Sequence, residues 1–282
     1  ADTLVAPAGT PTALRPWEGC SRRQARHYRV TAMVPHLETP ECLPACLELL
    51  RLQTARPYCL VIDTGSTFKT CCRLERLRCP DVELHYLRAH SWQHASEPVT
   101  AALDTALALC RTEWLFLTHS DVFLRRRDFL GELLDLCTPA CPVVGYEMSP
   151  RPGTEAWRGV VSHTATMVYV PVLRRLGATW NLARFLDHAG WWQAERAGWP
   201  DTESGFDLCL RQHKIKPLLV GKDRNLVRHT DANLDHARSY TGLKLYGRGG
   251  EVERRSRENL RQALREAYER IAAWRREVDG GR

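Results

Sequence analysis

Apolar runs that end abruptly in polar residues constrain the fold of this chain more than any other feature. Tyr58–Asp63 reads YCLVID and passes directly into TGST, and the run at 115–118 passes directly into His119, Ser120 and Asp121. Near-continuous apolar segments of this length are typical of strands that are buried on both faces of a parallel sheet. We therefore expect a sheet that delivers polar side chains to one of its edges.

The segments between these runs have the spacing of helices. A β-type run at 28–34 is followed by a helix whose N-cap and first turn we assign to Thr39 and Pro40. A second amphipathic helix is predicted over 98–110, directly before a strand over 113–118. This alternation of strand and helix predicts βαβ units and an α/β fold.

The pattern changes beyond residue 139. Two strand-like runs, VVGYEMSP and VVSHTATMVYVP, precede a helix predicted over 206–213, with Ser204 and Asp207 in the spacing of a capping box. From Glu251 onward, apolar residues form one stripe of an amphipathic helix. Its polar face mixes Glu with Arg, so we interpret the stripe as a surface that docks on the domain or on a partner subunit, and a homodimer is one expectation.

Composition limits the class of protein. A chain of 282 residues with 44% hydrophobic residues suffices for one large α/β domain with an elaborated end. No segment approaches the roughly 18 to 20 uninterrupted apolar residues of a membrane helix, so we expect no membrane span. The net charge is +7, but the arginines are scattered apart from the C-terminal helix, which predicts no nucleic-acid partner. The eleven cysteines and the absence of a secretory signal favour reduced thiols in a cytoplasmic protein.

The carboxyl ends of the predicted strands are the expected place for a ligand. Ligands of open α/β sheets bind outside these ends, where the sequence places Asp63 and the run from His119 to Asp121. Two plainer interpretations stay open. Asp63 fits a turn residue that caps Gly65 and Ser66, and Asp121 fits a cap of the next element.

Five segments, in the same order along 30–229, resemble family 2 glycosyltransferases. They are VPHLETPECLPACLELLRLQTARPYCLVIDTGST, TAALDTALALCRTEWLFLTHSDVFL, SHTATMVYVPVLRRLG, ESGFDLCLRQHKIKPLLVG and VRHTD. The resemblance implies the GT-A nucleotide-diphospho-sugar transferase fold, an α/β architecture with a mixed, mostly parallel central sheet flanked by helices, here with a C-terminal helical extension. The chain departs from the family where His119 replaces the first Asp of the Asp-x-Asp motif. It departs again where Ser204 and Gly205 replace a Glu-Asp pair.

The resemblance also implies a domain organisation. Residues 1–27 would form an N-terminal arm, and 28–240 the catalytic domain. Within that domain, 28–124 would be the nucleotide-binding half and 125–240 the acceptor-binding half. A loop and the amphipathic helix would occupy 241–282.

Glycosyl transfer needs a nucleoside site, a group that neutralises the leaving diphosphate, and a base for the acceptor. On the donor side, the resemblance implies contacts from Pro35, Asp63, Ser120 and Asp121, with Asp63 accepting hydrogen bonds from the nucleobase or ribose. The donor would be a nucleotide-diphosphate sugar, and transfer would be inverting.

A divalent cation is implied at the Asp121 loop. The hard carboxylate oxygen of Asp121 suits Mn²⁺ or Mg²⁺. His119 would add an imidazole ligand, which favours Mn²⁺, or would donate a hydrogen bond to phosphate without a metal. His229 would complete the set. The plainer interpretation makes both histidines surface residues.

The base and the acceptor wall are expected in one later region. Asp201 and Glu203 are the candidates for the base, and Trp191 and Trp192 offer aromatic faces for a small-molecule, peptide or glycan acceptor, although tryptophans of this kind also suit a core. The two departures from the family motifs keep a non-catalytic GT-A relative open as an alternative. A nucleotidyltransferase fits less well, because no Gly-rich loop with Lys or Arg follows the first strand.

Overall fold

The computed structural model describes residues 27–87, 96–148, 158–185, 190, 202–220, 234–236 and 251–280. Nine strands lie in these ranges and are numbered in chain order. They are β1 Val30–His36, β2 Tyr58–Asp63, β3 Val82–Tyr86, β4 Trp114–Leu117, β5 Val122–Leu124, β6 Val143–Tyr146, β7 Thr166–Tyr169, β8 Leu218–Val220 and β9 Leu234–His236.

Seven α-helices and one 3₁₀ helix accompany these strands within the described ranges. The 3₁₀ helix is Leu182–Phe185. The α-helices are α1 Leu43–Arg51, α2 Phe68–Glu75, α3 Glu97–Leu109, α4 Phe129–Leu136, α5 Val170–Arg175, α6 Thr202–Gln212 and α7 Glu251–Gly280. No helix in these ranges is both long and apolar enough to cross a membrane.

The main sheet has the strand order β3-β2-β1-β4-β7-β6-β8. Strands β1 to β4 are mutually parallel neighbours, β6 and β8 are parallel, and β7 runs antiparallel to both β4 and β6. A separate two-stranded antiparallel sheet joins β5 to β9. This mixed, mostly parallel sheet with flanking helices and a C-terminal helix confirms the predicted fold class.

Two apolar layers enclose the main sheet, because alternate residues of each strand point to opposite faces. Ala32 and Val34 of β1 belong to the layer beneath α1, α4 and α7, whereas Met33 belongs to the layer beneath α3 and α5. In the second layer the rings of Trp180 and Phe206 stack with centroids 4.3 Å apart. The carboxyl ends of β1, β2 and β4 therefore belong to a sheet that is packed on both faces, and they lie together at one edge of it.

The C-terminal helix docks on the domain through the apolar stripe that the sequence predicted. Leu260, Ala267, Ile271 and Trp274 of α7 are buried in the layer that also contains α1. Two ion pairs flank this contact, Arg275 with Glu48 and Arg127 with Glu277, but their exposed positions make them minor contributors.

Two helix starts differ from the predictions. Helix α1 begins at Leu43 rather than near Pro40, and the backbone N–H of Cys42 donates to the Thr39 carbonyl in the turn that precedes it. Pro44 then falls in the first helical turn, where its missing N–H leaves no intrahelical bond unmade. The local signal at Thr39 marks the turn rather than the helix.

Helix α6 begins at Thr202, four residues before the predicted start, so the capping-box assignment was wrong. Ser204 lies inside the helix, and Asp207 accepts a hydrogen bond from Arg211 Nε at 3.0 Å instead of serving the helix N-terminus. The apolar periodicity starts only at Phe206, whereas Glu203 and its neighbours are buried by tertiary packing that a local pattern does not reveal.

Packing of this first turn leaves no room for a side chain at Gly205. A Cβ added there would lie 2.3 Å from the Trp180 carbonyl oxygen and 2.9 Å from the Leu182 amide nitrogen. Both obstacles are backbone atoms, so they yield only if a whole segment shifts. Position 205 is thus limited to glycine because α6 lies directly against the chain at 180–182.

We expect Gly205→Ala to lower the free energy of unfolding by about 1 to 3 kcal/mol, the usual cost of overpacking. Gly131→Ala is the matched control, because Gly131 also lies in a helix and its added Cβ would meet nothing closer than 3.7 Å. Denaturant titration of both variants measures the difference. Equal free energies of unfolding for the two variants would contradict the close contact between Gly205 and the chain at 180–182.

Candidate functional site

The loop after β4 carries the predicted His-Ser-Asp motif and is firmly held. The Val122 N–H donates to the His119 carbonyl at 3.2 Å, which turns the chain directly into β5. The hydroxyls of Ser120 and Thr39 share a hydrogen bond of 2.9 Å, so the loop is tied to the segment before α1. Ser120 and Asp121 are both buried. The motif therefore lies at the carboxyl end of β4, as predicted, with little freedom of its own.

A second histidine lies against this loop. The rings of His119 and His163 have centroids 4.4 Å apart and are tilted by 57°. Their contact follows from topology, because Leu117 at the end of β4 pairs with Thr166 at the start of antiparallel β7. The loop that contains His163 must then return to the carboxyl end of β4. His163 belongs to none of the motifs that predicted site residues from the sequence.

Glu203 reaches the same place from α6. Its Oε1 accepts hydrogen bonds from the His163 backbone N–H at 3.3 Å and from the His163 Nδ1–H, which forms a short contact. The side chain of Glu203 is only 2% exposed, and its Oε2 accepts no hydrogen bond from any described residue. Glu203, His163 and His119 form a continuous chain, named here the Glu-His-His chain, from α6 to the Asp121 loop.

The ends of β1 and β2 form a neighbouring part of the same edge. His36 and Asp63 are paired in register, and His36 Nδ1 lies 2.7 Å from Asp63 Oδ2. The other oxygen of Asp63 accepts from the backbone N–H groups of Gly65 at 3.1 Å and Ser66 at 2.9 Å. The Ser66 hydroxyl donates to Asp63 Oδ2 at 2.5 Å. Asp63 thus makes the turn contacts that the plainer interpretation predicts.

These hydrogen bonds determine the charge of Asp63. Burial alone raises the pKa of the carboxyl group, but the hydrogen bonds from His36 and Ser66 outweigh it, so the pKa lies below its usual range. Asp63 is consequently ionised at neutral pH. Pro35, also predicted to contact the donor, is a buried residue of β1 that pairs with Ile62 next to this carboxylate.

The loops on either side of Asp63 are locked to each other. The Glu38 backbone N–H donates to the Ser66 hydroxyl at 2.8 Å, and the Glu38 carboxylate accepts from the Thr70 hydroxyl at 2.9 Å and from the Thr67 N–H. Glu38 adopts φ 53°, in the left-handed region that non-glycine residues rarely occupy. The contacts to Ser66, Thr67 and Thr70 hold this conformation and fix the shape of the edge.

Several predicted site residues fall outside the described part of the chain. Asp201, His229, Trp191 and Trp192 belong to this group. Within the described part, no three His, Cys, Asp or Glu side chains cluster closely enough to hold a metal ion. Strand β9 lies beside the Asp121 loop, since the backbone of His236 pairs with that of Val122, the residue after Asp121.

No known protein family matches the sequence, and no functionally curated protein does. Among solved structures, the chain is similar to mannosyltransferase PcManGT from Pyrobaculum calidifontis in complex with GDP-Man and Mn²⁺, with 18% identity over 87% of this chain and 73% of that one and a TM-score of 0.49. It is also similar to S. aureus TarS 1–349 (12% identity, 84% and 70% coverage, TM-score 0.47). A third is galactosyltransferase LgtC in complex with donor and acceptor sugar analogs (10% identity, 68% and 73% coverage, TM-score 0.47). These sequence identities and TM-scores are too low to support an activity for this chain.

Proposed function

We propose that this chain is a nucleotide-sugar-dependent glycosyltransferase with a GT-A fold, related to family 2, that moves a hexosyl group onto a discrete acceptor with inversion. The observation that carries the proposal is the Glu-His-His chain. It connects a buried carboxylate on α6 with the loop of Asp121 at the carboxyl end of β4. Inverting transfer requires such a pairing, a base on one side and a group that binds the leaving diphosphate on the other.

The base function is proposed for Glu203, with Asp201 as the second candidate. In the transfer, the acceptor oxygen forms a bond to the anomeric carbon while the bond from that carbon to the diphosphate oxygen breaks, and the acceptor proton passes to the base. Glu203 is suited to this role because His163 holds Oε1 in place and leaves Oε2 without a hydrogen bond from the described residues. His163 then acts as a positioning residue for the carboxylate.

Asp121 is proposed to bind the diphosphate end of the donor through a divalent cation. Its carboxylate and the imidazole of His119 are both ligand types that Mn²⁺ accepts, and Mg²⁺ is the harder alternative. The described residues supply no third ligand. His229, which the family resemblance implies as a ligand, stays the candidate for that position. A cation held there would neutralise charge on the departing diphosphate.

The acceptor side stays a set of predictions. Trp191 and Trp192 remain candidates for an aromatic wall against a small-molecule, peptide or glycan acceptor. The division into a nucleotide-binding half over 28–124 and an acceptor-binding half over 125–240 is likewise proposed, as are the cytoplasmic location and the homodimer.

A non-catalytic relative that binds a nucleotide sugar or glycan is the second candidate, and one observation favours it. The contact between Gly205 and the Trp180 backbone excludes a carboxylate side chain at that position, where the family resemblance places part of its acidic pair. Under this alternative, Glu203 would support the loop of His163 without taking a proton. The two candidates differ on turnover, and a relative that binds only a glycan differs on donor binding as well.

Ligand-induced stabilisation tests the binding part of the proposal. We expect one of UDP, GDP or dTDP to raise the melting temperature in the presence of Mn²⁺, because a ligand that binds only the folded state stabilises it. The scan is run with each diphosphate, with and without the metal. A melting temperature that no diphosphate changes under either condition would contradict the proposed function and favour a non-catalytic relative that binds a glycan.

A further inference from the structure

The exposed side of α7 carries a regular row of polar and charged residues. The apolar stripe of this helix, which includes Leu260 and Trp274, is already buried on the chain's own domain. At about 100° per residue, the opposite side of the helix is traced by six exposed positions whose spacing alternates between four and three residues. An average spacing of about 3.5 residues is the spacing at which two helices pair lengthwise. The row, named here the seam, consists of Glu258, Gln262, Arg265, Glu269, Ala272 and Arg276.

The charges of the seam are complementary to the same charges in reverse order. Arg265 and Glu269 lie two residues to either side of Ala267, and both are exposed. Glu258 and Arg276 lie nine residues to either side of the same centre. When a two-fold axis relates two antiparallel helices, positions at equal distances from the centre face each other across the contact. Each of the two pairs then brings an acid of one copy against an arginine of the other.

Most of these charges have no partner in their own chain. Within the described part of the chain, Arg265, Glu269 and Arg276 form no ion pair and no side-chain hydrogen bond. Glu258 accepts a hydrogen bond from Arg254 Nη1 at 2.8 Å, but this pair is exposed and contributes little. The charges of the seam are therefore available to a second molecule.

An exposed aromatic ring lies beside the centre of the seam. Tyr268 is 50% exposed and is one of the two large hydrophobic side chains exposed in the described ranges. It follows Ala267 directly, so a two-fold axis at that level would bring both copies of the ring to the flank of the contact. Burial of these rings would add apolar area to an otherwise polar interface.

We propose that α7 pairs with the α7 of a second copy of this chain, antiparallel and in the register centred on Ala267. The two-fold axis then forms each ion pair twice, Arg265 with Glu269 and Glu258 with Arg276. The inference gives the proposed homodimer its surface, and it does not rest on glycosyl transfer because it uses α7 alone.

The mixed signs of the seam favour a second copy over other partners. An acidic protein or an anionic membrane would meet Glu258 and Glu269 as like charges. A second copy meets each of them with an arginine. Because exposed ion pairs are individually weak and are screened by salt, we expect a weak dimer whose dissociation constant rises with the concentration of sodium chloride.

Sedimentation velocity over a series of protein concentrations measures this dimer. Arg265→Glu and Glu269→Arg each replace two opposite-charge contacts by two like-charge contacts, so each should raise the dissociation constant of the dimer at least about 10-fold. Both positions are exposed, so the fold should be retained, and the melting temperature of each variant checks this. Asp135→Arg is the matched control, because Asp135 is an exposed acid on α4, and its reversal should leave the dissociation constant unchanged.

A mixture of the two single variants tests the register itself. One variant has two acids at positions 265 and 269 and the other has two arginines, so each repels its own kind and attracts the other. The mixture should form a dimer with one copy of each variant, at an affinity near that of the wild type. The like charges within each helix remain in the mixture, so such a rescue comes only from contact between chains.

Three results would each overturn the inference. The first is a wild-type protein that stays monomeric at every concentration. The second is a pair of single variants that dimerise as the wild type does. The third is a pair of folded single variants that do not associate with each other when mixed.

Discussion

Replacing Glu203 by Gln is expected to lower the turnover of a nucleotide-sugar donor by about 10²- to 10⁴-fold, the range that a positioned general base contributes. Gln has nearly the same shape as Glu, and its carbonyl oxygen can still accept the hydrogen bonds from the N–H groups of His163. The fold and the affinity for the diphosphate should therefore change little. Steady-state kinetics should show a loss in kcat with KM for the donor nearly constant.

Asp207→Asn is the matched control for this loss. Asp207 lies four residues further along α6, is also buried, and accepts a hydrogen bond from Arg211. Its replacement should leave kcat within a few-fold of the wild type. A Glu203→Gln enzyme with undiminished kcat would exclude Glu203 as the base and leave Asp201 as the candidate.

Replacing Asp121 by Asn is expected to remove the metal-dependent part of catalysis and of donor binding. The substitution keeps the size of the side chain but removes the charge that a divalent cation needs, and we expect turnover to fall by at least about 10²-fold, as for removal of one transition-state charge contact. The rise in melting temperature that Mn²⁺ adds to a diphosphate should vanish as well. Both effects are measured on the same preparation.

A control substitution at an exposed acid and a substitution of a candidate histidine ligand make this second prediction specific. Asp128→Asn, at an exposed acid paired with Arg126, should leave the Mn²⁺ effect intact. His229→Ala then tests whether that histidine joins Asp121, in which case its loss should weaken the Mn²⁺ effect. An Asp121→Asn protein that still responds to Mn²⁺ would place the metal elsewhere.

Local sequence patterns predicted the sheet because a strand of a parallel sheet is recognisable from its own continuous apolar run. Tyr58–Asp63 was predicted to the residue as a continuous apolar run, and the helix over Glu97–Leu109 lies within one residue of its prediction. The start of α6 was missed for the opposite reason. Ser204 is buried and Gly205 lies against the chain near Trp180, and nothing in the sequence next to them indicates it.

Site residues were predictable where they directly follow a predicted strand. They were not predictable where they depend on the pairing of two strands that are distant in the sequence. The places of Asp63 and Asp121 follow from the strand ends that precede them. The contacts of His36 and His163 depend instead on strand pairing. The pairing of β1 with β2 places His36 beside Asp63, and the pairing of β4 with antiparallel β7 brings His163 to the carboxyl end of β4. The sequence patterns included Pro35 and the strand after His163. They did not include the two histidines, because a single histidine next to a strand does not by itself indicate a site. Only the partners across the sheet, Asp63 and Glu203, distinguish these two.

Release of nucleoside diphosphate from a panel of UDP-, GDP- and dTDP-sugars, with Mn²⁺ and without added acceptor, tests the central claim most directly. Water replaces the unknown acceptor in this assay, so slow hydrolysis suffices to show that the site breaks the bond to the diphosphate. The account predicts that the wild-type protein consumes donors of one nucleotide class and that Glu203→Gln and Asp121→Asn both abolish the release. A wild-type protein that binds a diphosphate tightly but consumes none of the donors would contradict the claim and favour the non-catalytic relative.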